Sequence, residues 1–344
     1  MRAPEFWWHR TAGPAAKLLA PFAALYGSAA AWRIHRTGIS LPLPVLCVGN
    51  FAVGGAGKTP TALTLGRHLI AQGEHPYFLS RGYCSIAERT GPVCVDLSRH
   101  HARDVGDEPL LLARVAPTIV GADRVAGGRL AEARGATLLI LDDGLQNPAL
   151  HKDLRLVLVD GETGTGNGYC LPAGPLRAPL AAQMKLASAL IIVGPGAAGQ
   201  SIGTTARAAA VPVIEAELVI PPAVATRLAG QRVFAFAGLG LPQKFYASLA
   251  CVGAKLVGSA SFADHHAYKA QEIRDLQHTA LNLGAQLVTT EKDFVRLAGL
   301  ADPALPQPTA VPATLEFADA GLLDQIIATA IATARERISS RAAD

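Results

Sequence analysis

Residues Val45 to Pro60 constrain the fold of this chain more than any other stretch. They read Val-Leu-Cys-Val-Gly-Asn-Phe-Ala-Val-Gly-Gly-Ala-Gly-Lys-Thr-Pro. A short apolar strand runs into a glycine-rich loop, and Gly57-Lys58-Thr59 opens an apolar-periodic segment that reads as a helix. In that order the strand anchors the loop, and the glycines let backbone N–H groups close around phosphate oxygens. The helix start then adds the positive end of its dipole. Lys58 is placed to reach the outer phosphates and Thr59 to offer a hydroxyl to Mg²⁺. A strict phosphate-binding loop opens on glycine where this chain has Ala52, so Gly54 and Gly55 must supply the freedom that position lacks.

Chain length and composition agree with a folded nucleotide enzyme. The 344 residues suffice for two domains, each with its own core. Half the residues are hydrophobic and 17% are charged, which excludes a disordered chain. A net charge of +4 suits a phosphorylated substrate without making a case for nucleic acid, and no nucleic-acid partner is expected. Cys47, Cys84, Cys94, Cys170 and Cys251 have no paired spacing, which fits free thiols better than disulfides or a zinc site.

Beyond the loop, strand-like and helix-like segments alternate. Apolar runs fall at Tyr77–Leu79, Val93–Val95, Thr118–Val120, Leu138–Leu141, Leu156–Val159 and Leu190–Val193, with helical spacing over Leu110–Ala116 and Arg124–Arg134. This is the pattern of an α/β protein, a parallel sheet covered by helices. A proline-rich passage, Val211 to Val224, interrupts it. A second, smaller α/β block follows, with strands near Val233–Phe236 and Gln286–Thr289, and Leu315 to Ile338 reads as a closing helix. The organisation expected is a membrane-interface segment over 1–35, a phosphate-loop core over 36–225, and a smaller domain with the closing helix over 226–344.

The amino-terminal segment Leu18 to Trp32 is almost wholly apolar, flanked by Lys17, Arg33 and Arg36, with Trp7, Trp8 and Tyr26 nearby. It is shorter than the roughly 20 residues a spanning helix needs. Aromatic and cationic flanks point to a helix lying in a membrane surface, and a buried core helix is the alternative.

Three further motifs carry chemistry. Leu138-Leu-Ile-Leu-Asp-Asp-Gly144 is an apolar strand ending in carboxylates, the usual partner of a phosphate loop, since ligands sit at the carboxyl edge of such sheets. Asp142 or Asp143 is positioned there to hold Mg²⁺, unless the pair only starts a turn. Val105-Gly-Asp-Glu-Pro109 precedes a helical stretch; Asp107 and Glu108 either cap it or supply a base for a substrate hydroxyl. Asp264-His265-His266 offers a carboxylate–imidazole arrangement in the second block.

Together these residues carry a resemblance. Val48-Gly-Asn50, Gly54-Gly-Ala-Gly-Lys-Thr-Pro60, Ser80-Arg-Gly-Tyr83, Gly106-Asp-Glu-Pro109, Asp142-Asp-Gly-Leu-Gln146, Leu171-Pro-Ala-Gly-Pro-Leu-Arg177, Asp264-His265 and Thr289-Thr-Glu-Lys-Asp293 follow the order of the tetraacyldisaccharide 4'-kinase family and span nearly the whole chain. The resemblance implies a kinase of lipid A biosynthesis in Gram-negative bacteria. It would transfer the ATP γ-phosphoryl group to the 4'-hydroxyl of an acylated glucosamine disaccharide 1-phosphate. It also implies two α/β lobes joined by a short β linker, and a peripheral place on the cytoplasmic face of the inner membrane. By position, Ala52, Val53, Gly54, Gly55, Ala56, Gly57, Lys58 and Thr59 would hold the ATP phosphates. Asp107 would be the base, paired with His265. Thr59, Glu108, Asp142 and Asp143 would serve Mg²⁺, and Arg177 would stabilise the transferring charge. Asn147 stands where the family commonly has His, and Ala178 where it commonly has Glu. Thr289 to Asp293 receives no catalytic role beyond capping a helix.

Two other classes remain open on the sequence. One is a nucleotide-dependent switch or partitioning ATPase; the other is a small-molecule kinase or ligase resembling dethiobiotin synthetase. A GTPase would need an Asn/Thr-Lys-x-Asp segment, and Thr290-Glu-Lys-Asp293 has similar letters at the wrong spacing. Neither class accounts for the amino-terminal apolar segment or for Asp264-His265 in a separate lobe.

Overall fold

In the computed structural model, all residues are described except Met1, Arg2, Arg10, Ala56, Cys84 and Asp344. Thirteen strands occur among them. They are β1 Val45–Asn50, β2 Pro76–Ser80, β3 Val93–Cys94, β4 Thr118–Val120, β5 Leu138–Asp142, β6 Leu154–Asp160 and β7 Ala189–Val193. The chain continues through β8 Val213–Val219, β9 Arg232–Ala237, β10 Lys255–Ser261, β11 Gln286–Thr290, β12 Thr309–Val311 and β13 Thr314–Phe317. Nine form a large sheet in the order β13-β8-β7-β6-β1-β5-β2-β4-β3, and four form a small one, β10-β9-β11-β12.

The central strand β1 lies between β5 and β6, parallel to both, and every residue of it is buried. That explains its unbroken apolar run, because a strand covered on both faces has no solvent side to alternate with. The helix α2, Lys58–Ala71, packs back against the sheet. Gly66 makes this close approach possible: a Cβ there would lie 2.5 Å from the ring of Phe78. Leu63, Leu69, Phe78, Leu112 and Ile140 fill the resulting core.

Two sequence expectations are corrected at the junction of the lobes. The proline-rich passage does not interrupt the sheet, because β8 runs through it with alternating burial and pairs with β7. Likewise the closing segment opens as strand β13, antiparallel to β8 from Thr314 opposite Val219 to Phe317 opposite Ala216. The helix begins only at Ala320, where Asp319 accepts from the Leu322 amide. Leu323, Ile327 and Ile331 of that helix pack into the large-sheet core. The final segment therefore returns to the larger lobe rather than staying with residues 226–344. The small sheet has its own core around Val233, Ala235, Leu249 and Val288, joined by Leu228. The paired strands β8 and β13 carry the chain into and out of it.

Helix α1, Pro14–Ile34, lies against the larger lobe through Ala16, Ala23, Gly27, Ala30 and Ile34. Its small residues face inward, while Leu18, Phe22, Leu25 and Trp32 are at least 65% exposed. Small side chains let the backbone approach, and the large apolar ones are left to solvent. Among the described residues no helix is long and apolar enough to cross a membrane.

Candidate active site

The phosphate loop leaves β1 and enters α2 through Gly57, whose φ of +82° is a left-handed conformation that glycine adopts without strain. Its first residues serve as an anchor. Ala52 bridges to Leu176, and the Val53 amide donates to the Pro175 carbonyl at 2.9 Å, so that amide is not free to meet a phosphate. Beyond that anchor the backbone opens at Gly54, with φ +115°, and at Gly55, around which no atom stands within reach of an added Cβ. Ala56 lies outside the described residues. Lys58 Nζ donates to the Gly54 carbonyl at 2.9 Å and lies 3.8 Å from Asp143.

At the carboxyl end of β5 the two adjacent aspartates take different roles. Asp142 is buried, and one of its oxygens, Oδ2, accepts from the Thr59 hydroxyl at 3.3 Å. The other, Oδ1, is buried with no hydrogen-bond partner among the described residues. Burial, and then the nearby Glu108 and Asp143 carboxylates, push the Asp142 carboxyl up to about 7. Asp143 has φ +55° and is held from both oxygens by Arg177, at 2.8 and 2.9 Å. Burial acts to raise Asp143, but Lys58 and Arg177 outweigh it and hold the carboxyl below its ordinary value.

These contacts bear directly on the metal assignment. A hard cation favours oxygen ligands, and an orphaned carboxylate oxygen beside a threonine hydroxyl is a donor set that fits Mg²⁺. Asp143 fits less well, since its carboxylate is committed to Arg177. No group of three or more His, Cys, Asp or Glu side chains able to hold a metal occurs among the described residues. Mg²⁺ commonly binds through one or two carboxylates together with substrate phosphates, so such a cluster is not required.

The second half of the site forms where the two lobes meet, with Asp107 on the larger lobe and its partners on the smaller one. Asp107 opens the helix Asp107–Leu112, and its Oδ1 accepts from the Glu108 amide at 2.9 Å. Its Oδ2 faces the other lobe, where His265 Nδ1 lies at 3.2 Å and Arg296 donates from Nε at 2.9 Å and also from Nη2. Burial alone would raise the Asp107 carboxyl. The His265 contact and the Lys292 and Arg296 charges overcome it and hold the group far below the usual carboxylate range. His265 itself has φ +58°. Lys292 Nζ lies 3.2 Å from His265 Nε2 and 3.3 Å from Glu108 Oε1. Burial would lower the Lys292 ammonium, but Glu108, Asp107 and Asp264 raise it. His266 turns away, contacting Glu272 at 3.1 Å and stacking on Phe262, so it supports the helix Ala270–Asn282 and not the cleft.

Lys292 and Arg296 were not legible as site residues. Thr290 does cap the short helix Glu291–Phe294, accepting from the Asp293 amide at 3.1 Å, as the sequence implied. That capped turn follows β11 at the carboxyl edge of the small sheet, which is what brings the next two cations toward Glu108 and Asp107. A basic residue just past a strand's carboxyl end was the available signal.

A family model for tetraacyldisaccharide-1-P 4'-kinase matches residues 15–332. The chain belongs to that family. The tetraacyldisaccharide 4'-kinase of Methylobacterium nodulans is 51% identical over 94% of both chains. That of a Bradyrhizobium species is 47% identical over 98% of this chain and 97% of its own. The crystal structure of LpxK from Aquifex aeolicus in complex with ATP superposes with a TM-score of 0.72, at 26% identity, over 92% of this chain and 99% of that one. The protein is thus an ATP-dependent tetraacyldisaccharide 4'-kinase with the α/β phosphate-loop fold of its family. Of the family departures, Ala178 is fully buried in a cluster with Ala30 and Ile34 of α1. Asn147 uses its carbonyls locally, on Lys152 and the Ala149 amide.

Proposed function

We propose that Asp107 is the base that accepts the proton of the lipid 4'-hydroxyl as that oxygen attacks the γ-phosphorus of ATP. The new O–P bond forms as the bond to ADP breaks, and the proton passes to the carboxylate. The observation that carries this reading is the meeting of Asp107 and His265 at 3.2 Å, from different lobes, at the edge of a phosphate-loop sheet. Phosphoryl transfer goes through a loose transition state, so placement and charge matter more than base strength. His265 orients the carboxylate.

Lys58 neutralises the outer phosphates, and the loop from Gly54 to Thr59 cradles them. Asp142 and Thr59 would hold Mg²⁺, with Glu108 nearby; bound there, the metal would neutralise phosphate charge. Arg177, held by the same Asp143 carboxylate that lies 3.8 Å from Lys58, would stabilise charge on the transferred group. The acceptor is an acylated glucosamine disaccharide 1-phosphate. The exposed Leu18, Phe22, Leu25 and Trp32 of α1, with Arg33 and Arg36 beside them, support a peripheral seat on the inner membrane's cytoplasmic face, where such a lipid resides. Incubating the protein with ATP, Mg²⁺ and the tetraacyl disaccharide 1-phosphate should yield a lipid with a second phosphate. Nucleotide hydrolysis with no phosphorylated lipid would instead favour the switch ATPase.

A further inference from the structure

Asp293 is wholly buried, and its carboxylate is nonetheless fully occupied. Oδ2 accepts from the Gly238 amide at 3.0 Å and the Thr290 hydroxyl at 2.7 Å; Oδ1 accepts from the Tyr268 hydroxyl at 2.9 Å and from Arg296 Nη1 at 2.8 Å. Burying a charge is costly unless it is paired and hydrogen-bonded, so this arrangement holds one guanidinium in one place. The Arg296 side chain is only 7% exposed and donates from its remaining nitrogens to Asp107 Oδ2 in the other lobe. The result is a continuous chain of charge from the small-lobe interior to the large-lobe carboxylate.

We propose that Arg296 is a positioning residue for phosphoryl transfer. It fixes Oδ2 of Asp107 so that Oδ1, which accepts only the Glu108 amide among the bonds described, keeps a lone pair for the acceptor hydroxyl. This rests on the reading of Asp107 as the base. A guanidinium beside a base weakens it, which would be self-defeating for a reaction needing strong proton abstraction. A loose phosphoryl-transfer transition state asks mainly for placement, so the trade favours the clamp. Arg296 is rooted in the smaller lobe through Asp293 and Gly238, so separating the lobes withdraws it. Correct orientation of the base is thereby tied to the approach of the lobes. Lysine cannot replace it, because one ammonium does not reproduce a planar fork that holds Asp107 and Asp293 together.

The test compares Arg296→Met, Arg296→Lys, Asp107→Asn and the double variant Asp107→Asn/Arg296→Met, with ATP, Mg²⁺ and the lipid acceptor. Arg296→Met should lower kcat by about 100-fold, the scale on which misplacing a reacting group costs rate, with KM for ATP within about threefold of wild type. The double variant should be at most about threefold slower than Asp107→Asn, since both act through one carboxylate. Arg296→Lys should fold with a near-normal melting temperature and still lose about tenfold in kcat, so it carries the test if the methionine variant does not fold. Wild-type kcat in whichever of the two folds, or fully multiplicative losses in the double variant, would overturn the positioning role. An active Asp107→Asn would instead remove the base reading itself, whereas an inactive Asp107→Asn beside a fully active Arg296→Met removes only the clamp.

Discussion

Thr59 and Asp142 are joined side chain to side chain at 3.3 Å, across the gap between the first turn of α2 and the end of β5. The contact couples the phosphate loop to the strand-end carboxylate and leaves Asp142 Oδ1 as the unsatisfied atom. Thr59→Ala should therefore raise the Mg²⁺ concentration needed for half-maximal rate, with a smaller effect on kcat at saturating metal. A Mg²⁺ titration at fixed ATP measures this. An unchanged metal requirement would detach Thr59 from the metal site.

The same carboxylate makes stability depend on pH. In the unfolded chain Asp142 ionises near the ordinary value of about 4, and in the fold it does so at about 7. Between those limits the folded state binds the extra proton, so stability falls as pH rises through that window. Measured without Mg²⁺, Asp142→Asn should melt higher than wild type at pH 8 and show little difference at pH 4. Kinase activity should be lost in the same variant.

Lys58→Ala should lower kcat by about 1000-fold or more, since the transferring phosphates lose a cation placed for their developing charge. Lipid binding should be unaffected, as Lys58 reaches Gly54 and Asp143 and not the other lobe. Steady-state kinetics with a vesicle co-sedimentation control separates the two.

Asp107→Ala and His265→Ala should each depress kcat strongly while ATP binding, followed by calorimetry, survives. Combined, they should lose little more than either alone, because removal of one already disables the pair. Independent, multiplicative losses would show that the contact between them is not functional.

Replacing Phe22 and Leu25 with serine should weaken binding to anionic vesicles by roughly tenfold for each side chain, taking about 1.5 kcal/mol per buried apolar group. Both are exposed on α1, so the melting temperature should hardly change. Deleting residues 1–32 is a poorer test, because it also uncovers the face that Ala16, Ala23, Gly27 and Ala30 pack against. Unaltered vesicle binding in the serine variants would remove the membrane role from this helix.

The loop from Gly54 to Thr59, the buried strands β1 and β5, and the acidic end of β5 were all legible in the sequence. Each is a contiguous run whose chemistry is set by residues a few positions apart: an apolar run makes the strand, glycines make the loop, and a carboxylate at the strand end meets the ligand edge. The motif order also carried the family. Tertiary structure alone decided the remainder. Asp107 and Arg296 are 189 residues apart, and nothing local to either specifies that they meet. The return of β13 and the last helix to the larger lobe likewise depends on β8 offering a free edge. The commitment of Asp143 to Arg177, which leaves Asp142 Oδ1 as the unpartnered carboxylate oxygen, arises where separate loops converge. Periodicity reports what one segment needs to bury, whereas the partner that satisfies a buried charge is chosen only when distant segments compete for the same space.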